Sequence, residues 1–255
     1  MGRRIVVAIK RVLDHAGRVR VKPDGSGVDT AGQRLSMNPF CKHAVEAAVQ
    51  LVEAGSADEI VAVSIGPEGT AEIIRTALAM GAHRGVHVEA EGRLETLAIA
   101  KLLAAIVAEE QPDLVLLGKQ AVDDDSNHVG QMLAGLLDWP QATFASSVSI
   151  ENDTLNVTRE IDFGRIDIAL PLPAIVTADL RLNMPRNVAL PMVMKARAKP
   201  LATRPAADFG IDLTPRLTVE SVTTPSGRSG GTRAPDIGAF ADAIAACLAE
   251  IEAAP

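Results

Sequence analysis

Hydrophobic and polar positions over the first 140 residues follow two alternating rhythms. Short β-branched runs without alternation, RIVVAIK (4–10), EIVAVSIG (59–66), RGVHVEA (84–90) and DLVLLGK (113–119), predict strands buried on both faces. Between them apolar residues recur at helical spacing. One such run covers 38–51, with Asn38 as its cap and Pro39 at the first helical position. Others cover 67–82, closed by Gly81, then 93–110 and about 127–137. This alternation predicts an open, mainly parallel sheet flanked by helices, with right-handed crossovers. VRVKPDGSGVDT (19–30), with its Pro-Asp-Gly turn, predicts a hairpin or excursion.

Beyond Trp139-Pro140 the rhythm changes. Residues 142–162 alternate around Glu151-Asn152-Asp153, which predicts an antiparallel hairpin. Residues 165–180 read as strand, but their prolines place them at an edge or in two pieces. The stretch 200–235, rich in Pro, Gly, Ser and Thr, predicts an extended linker. Asp236 then caps a helix with Ile237, Phe240, Ile244, Cys247, Leu248 and Ile251 on one face. That face folds back on its own domain or grips a partner. The chain thus divides into an α/β domain (1–199), a linker (200–235) and a C-terminal helix or arm (236–255).

LNMPRNVALPMVMKARAK (182–199) fits neither rhythm. Pro185 and Pro191 argue against a regular helix or a central strand running through it. Yet Leu190, Met192, Val193 and Met194 are apolar, and Lys195, Arg197 and Lys199 follow at once. Two accounts stand: a buried edge segment, or a presented anchor. In the second, Pro191 holds Leu190 extended, and Met192 and Met194 supply adaptable contact.

Composition narrows the function classes. Hydrophobic residues make up 47% but aromatics only 2%, with no tyrosine, so the core must be aliphatic. A net charge of −7 without a basic region argues against nucleic-acid binding. No apolar run reaches spanning length, and MGRRIVVAIK lacks the pattern of a signal peptide, so direct membrane insertion is not expected. Cys41 and Cys247 lie far apart, which suggests a reduced, intracellular protein with too few thiolates for a usual iron–sulfur cluster.

Ligands of an open parallel sheet bind beyond the carboxyl ends of its strands. That singles out three loops: Ala8 to Arg11, Gly66 to Glu68, and GKQAVDDDSNHVG (118–130). The last leads into a helix whose first amides can hold a phosphate. Glycine-rich dinucleotide and P-loop motifs are absent, as is any nucleophile motif. Asp123-Asp124-Asp125 reads as charge near a helix start rather than a metal cage, since no second carboxylate cluster completes one. Cys41 and His43 have no further ligand at zinc spacing, and His83 and His87 are expected at the surface. The residues alone therefore point to a nucleotide-binding α/β domain without evident catalytic machinery.

Five blocks add a more specific pointer: VAIKRVLD, SMNPFCKHAVEAA, RTALAMGAHRG, DLVLLGKQAVDDDSNHVGQMLAGLLDWPQATFAS and VTADLRLNMPRNVALPMVMKARAK. In this order, over nearly the whole chain, they closely resemble the β subunit of electron transfer flavoprotein, of the respiratory, AMP-binding type. The resemblance implies an adenine-nucleotide α-hydrolase-like fold and a heterodimer with an α subunit that holds most of the FAD. It further implies a carrier, not an enzyme, fed by acyl-CoA and related dehydrogenases in fatty acid β-oxidation. Electrons would leave to a membrane quinone oxidoreductase. AMP would be a structural nucleotide held by Ala8, Asn38, Pro39, Phe40, Cys41, Ile65, Gly118, Lys119, Gln120, Ala121, Val122, Asp123, Asp124, Asp125, Ser126, Asn127, His128 and Val129. His15 and Phe40 would lie near the FAD. Leu190, Pro191, Met192 and Met194 would form a recognition loop whose leucine enters a pocket on partner dehydrogenases.

The chain departs from the family at three places. His15 and Asn187 stand where tyrosine is usual, and His128-Val129 replaces a Gln-Thr pair, so backbone amides or Ser126 must supply the lost hydroxyl contact. The compartment implied is bacterial cytoplasm, or the mitochondrial matrix in a eukaryote. A stand-alone adenine-nucleotide-binding protein would leave 177–199 and the terminal helix unexplained. An ATP-using ligase or hydrolase would want a phosphate-gripping glycine loop.

Overall fold

Ile5, Val6 and Val7 are fully buried, and the strand they form, β1 (Arg4–Ala8), runs through the middle of the molecule. The computed structural model describes residues 2–14, 19–227, 230–231 and 233–253. Its main sheet has nine strands. β1 is flanked on one side by β4 (Glu59–Gly66), β5 (Arg84–Glu89) and the edge strand β11 (Leu201–Pro205). On the other side follow β6 (Leu114–Gly118), β10 (Ala174–Ala178), β7 (Gln141–Glu151), β8 (Thr154–Ile161) and β9 (Gly164–Pro171). All pairings are parallel except β7–β8 and β8–β9. β2 (Arg11–Leu13) and β3 (Leu35–Met37) form a separate antiparallel pair. The sheet is thus the predicted open, mainly parallel one, with antiparallel additions.

Helices cover both faces, which is what β-branched runs without alternation require. On one side, α1 (Pro39–Glu53), α2 (Ala71–Met80) and α5 (Leu190–Ala198) share a core with the side chains of Ile5, Val7, Ile60 and Leu116. On the other, α3 (Thr96–Glu110) and α4 (Val129–Leu137) pack on Val6, Val61, Val115 and Ile175. At the amino ends of the strands, Arg4 Nε meets Glu59 at 2.5 Å and Arg84 Nε meets the same carboxylate at 2.7 Å. Arg84 also pairs with Glu110, closing that edge with charge. The carboxyl edge carries the loops.

One expectation holds and three need correction. The strand-like stretch 165–180 splits in two, as its prolines allow: β9 is an edge, while β10 lies inside the sheet and is wholly buried. This is possible because Pro171 and Pro173 fall outside it, across a cis Leu172–Pro173 bond. The supposed linker from 200 begins with β11 and a 3₁₀ turn over Ala206–Phe209. An edge strand tolerates Pro205 at its last position, so composition alone concealed it. His87 is buried in β5, not at the surface, with its Nε2 2.9 Å from the Gly66 carbonyl. Finally, a regular helix does form within 182–199, since Pro191 falls in the first turn of α5, where a missing N–H is no loss.

The excursion over 19–30 is closed by a single bridge, Val21 to Val28. At the far end Asp236 Oδ1 accepts from the Ala239 amide at 2.8 Å, so it does cap α6 (Ile237–Ala253). Ile237, Phe240, Ile244, Leu248 and Ile251 along that helix are exposed. Among the described residues no helix is long and apolar enough to cross a membrane.

Candidate functional site

Chain order reverses direction between β1 and β6: β4 and β5 lie to one side of the pair, β10 to the other. Such a switch point opens a crevice at the carboxyl ends of the two strands. Ala8 ends β1, Gly118 ends β6, and Ile65 is the penultimate residue of β4. The start of α1 presses down on this point. A Cβ on Gly118 would lie 2.7 Å from Phe40 Cβ and 2.9 Å from the Cys41 nitrogen, so only glycine permits the approach.

Asn38 departs from its expected role. Its side chain does not cap α1. Instead Nδ2 donates to the Gln120 carbonyl at 2.8 Å and to Cys41 Sγ at 3.3 Å, while Oδ1 accepts from the Val122 amide at 3.2 Å. With 1% of its surface exposed, it joins the start of α1 to the 119–128 loop. The demand of that loop for partners outweighs the capping bond.

The loop is also closed from β1. Lys10 Nζ reaches Asp123 Oδ1 and Asp124 Oδ2, both at 2.8 Å. Burial lowers the Lys10 pKa, but the two carboxylates outweigh it and hold the ammonium above its ordinary value. Burial likewise raises Asp124, and Lys10 reverses that, leaving the carboxyl below its ordinary value. The aspartate run therefore answers a lysine. Among the described residues no group of three His, Cys, Asp or Glu is placed to hold a metal. Asp125 and Asn127 adopt left-handed backbone, φ 52° and 50°, as residue types that tolerate it.

The loop delivers α4 with its amino end open. Its capping position, His128, makes no side-chain cap bond, so the first amides are available to an anion. Gln131 Nε2 donates to Asn127 at 3.0 Å, while the buried Gln131 Oε1 has no partner among the described residues. Ala8 and Phe40, both buried, and the half-buried Ile65 lie at the same sheet edge. The site offers open amides suited to an anion. It offers no activated nucleophile: Cys41 is buried, and burial pushes its thiol up, away from the thiolate.

Lys10 lies in one of the three candidate loops, where sequence reasoning gave it no role, and Asp179 and Phe144 escaped that reasoning. Lys10 and Asp179 are charged partners of loop residues, with Lys119 Nζ 2.8 Å from Asp179 Oδ2. Phe144 joins Phe40 around the Lys119 ammonium, at 5.0 Å and 5.4 Å from its ring centre respectively. It does so from a left-handed conformation, φ 59°, beside a slip in the β7–β10 register. Nothing in the local sequence signals that conformation. His15 lies outside the described residues.

The 182–199 segment is presented, not buried. Leu190 is 73% exposed and Met194 54%, with Pro191 and Met192 exposed beside them, while Ala196 anchors α5 in the core. Both ends are fastened. Arg75 Nη1 donates to the carbonyls of Ala196 (2.9 Å) and Lys199 (2.6 Å). Lys199 Nζ donates to those of Leu78 and Ala82. Upstream, Arg186 meets Glu46 and Glu53 of α1, and Asn183 donates to the His43 carbonyl at 3.0 Å.

The chain is similar to known proteins over most of its length. The family model for the electron transfer flavoprotein domain matches residues 26–209. An electron transfer flavoprotein subunit beta of Bradyrhizobium diazoefficiens is 54% identical over 234 residues, 92% of this chain and 94% of its own. The protein of the same name from Homo sapiens is 55% identical over 234 residues, covering 90% and 92%. That of Dictyostelium discoideum is 48% identical over 244 residues, covering 96% and 98%. With the family model matched over most of the chain and relatives about half identical along nearly their whole length, the chain belongs to the electron transfer flavoprotein family, among its β subunits.

Proposed function

We propose that this subunit pairs with an electron transfer flavoprotein α subunit, leans over an FAD held mainly by that partner, and keeps AMP in its own crevice as a structural nucleotide. The flavin, when bound, supplies the redox chemistry; this chain supplies positioning and docking. The heterodimer accepts electrons from acyl-CoA and related dehydrogenases and delivers them to a membrane quinone oxidoreductase. It is a carrier, working in bacterial cytoplasm or its mitochondrial equivalent. The observation that carries the reading is the exposure of Leu190 on a fastened helix: a leucine that could have been buried is offered to a partner.

The crevice fits AMP in kind. The open amides of α4 and the Ser126 hydroxyl suit a phosphate and would replace the hydroxyl lost at Val129, while the unsatisfied Gln131 oxygen suits a ribose hydroxyl. Ala8, Ile65 and Phe40 suit the adenine.

Co-expression with the α subunit tests the whole. The complex is expected to purify as a yellow heterodimer, to release AMP on denaturation and to be reduced by an acyl-CoA dehydrogenase. Leu190→Ala is expected to weaken that reduction while FAD and AMP content stay unchanged. A colourless monomer that hydrolyses ATP would overturn the reading.

A further inference from the structure

Residues 183–189 connect the sheet to α5 without regular structure, and they immediately precede Leu190. A connection of that kind would leave an exposed leucine free to wander. Here Arg186 prevents it. Its Nε and Nη2 take the two oxygens of Glu46 at 2.8 and 2.9 Å, and Nη1 and Nη2 take the two oxygens of Glu53 at 2.7 and 2.9 Å. Its backbone amide also donates to Glu46 Oε2 at 3.1 Å. Both the side chain and the main chain of one loop residue are therefore fixed to one helix.

Glu46 sits on the core side of α1, its side chain 4% exposed. A carboxylate there is costly unless fully paired. Burial pushes Glu46 up, yet the Arg186 bonds outweigh it and hold it below the ordinary range; Arg186 does the same to the exposed Glu53. A surface loop needs no such arrangement merely to close.

We propose that Arg186 is a positioning residue for docking, gripped by Glu46 and Glu53 so that Leu190 stands in one geometry before a partner arrives. With Arg75 and Lys199 fastening the other end of α5 to α2, the anchor is held between two clamps on adjacent helices. Preorganisation of this kind raises affinity by removing the ordering cost at contact. The planar fork of arginine takes both oxygens of both carboxylates through four bonds, a geometry that the three donors of one lysine ammonium cannot reproduce. This inference rests on the reading of Leu190 as the dehydrogenase anchor.

The test is steady-state reduction of the flavin-loaded heterodimer by an acyl-CoA dehydrogenase, with the heterodimer as varied substrate. Arg186→Lys is expected to raise its apparent KM about fivefold to tenfold, with kcat and FAD content unchanged. Glu53→Gln, at an exposed position that spares the fold, is expected to raise KM about twofold to threefold. In the Leu190→Ala background, Arg186→Lys is expected to add less than about twofold, because both act through one contact. Additive effects, or a fall in kcat at constant KM, would overturn the proposal. If Leu190→Ala raises KM while Arg186→Lys and Glu53→Gln do not, the clamp alone falls. If Leu190→Ala leaves KM unchanged, the docking reading falls and takes the clamp with it.

Discussion

Asn38 shows how far a single residue can be read. Its position before Pro39 correctly marks where α1 starts, but its side chain serves Gln120, 82 residues further on. A local rule sees the neighbours three positions away; it cannot see a loop that folding brings up. Asn38→Ala leaves the Gln120 carbonyl and the Val122 amide without their partner, at about 1–2 kcal/mol. For a domain of this size the melting temperature is expected to drop by roughly 2–4 °C per kcal/mol. AMP content per heterodimer should fall with it, whereas a melting shift with full AMP retention would assign Asn38 to stability alone. Lys10 and Asp124 set the pH range of the same loop. The carboxyl is held below its ordinary 3.8, so its contribution is complete above that value and lost as pH falls further. The ammonium is held above its ordinary 10.5, so its contribution is complete below that value and lost only as pH rises beyond it. The Lys10–Asp124 pair is therefore expected to add no step to AMP retention, followed by filtration of the complex, between about pH 7 and 9, where the phosphate is also fully ionised. A step near neutrality would point to some other group.

At the scale of elements the sequence was legible where periodicity and burial agree. All four β-branched runs of the first half are strands, and the order of strand and helix gave the parallel sheet and its loop-bearing edge. It was less legible where proline decided. Pro191 could stop a helix or start one, and the structure starts one; Pro171 ends β9 and Pro173 stands just before the interior strand β10 without forbidding it. β11 was hidden because its five residues sit in a stretch whose average composition is that of a linker. Close approach of elements is likewise invisible in one dimension. Gly118 ends β6 with nothing in its motif to say that α1 lies against it. Gly118→Ala would drive a methyl into the Phe40 and Cys41 backbone, which cannot swing aside as a side chain end could. The expected cost is about 1–3 kcal/mol, with loss of AMP from the purified complex. Normal stability and normal AMP content in that variant would mean that α1 can retreat from the strand.

The whole molecule distributes its tasks by edge and face. The amino edge of the sheet is closed by Arg4, Glu59, Arg84 and Glu110; the carboxyl edge keeps the crevice; the α1–α2–α5 face presents Leu190. That leaves α6 unexplained within one chain. Its Ile237 is 87% exposed and Phe240 58%, with Ile244, Leu248 and Ile251 exposed along the same helix. A 17-residue helix is marginal alone in water, and a continuous apolar stripe of this length marks an interaction surface. The sequence left open whether this face returns to its own domain or grips another. The exposure favours the second, with the α subunit as occupant. Removal of residues 236–255 is then expected to leave the thermal stability of the isolated β chain within about 1 kcal/mol, since none of its residues of described burial is buried. The same truncation should weaken the heterodimer by at least tenfold, read by analytical ultracentrifugation of the two subunits, and FAD should be shed as the subunits part. A single Phe240→Asp substitution should reproduce the weakening with the helix otherwise intact, because a carboxylate cannot be buried there without a partner. If truncation instead lowers the melting temperature of the β chain alone and leaves association unchanged, α6 belongs to its own domain.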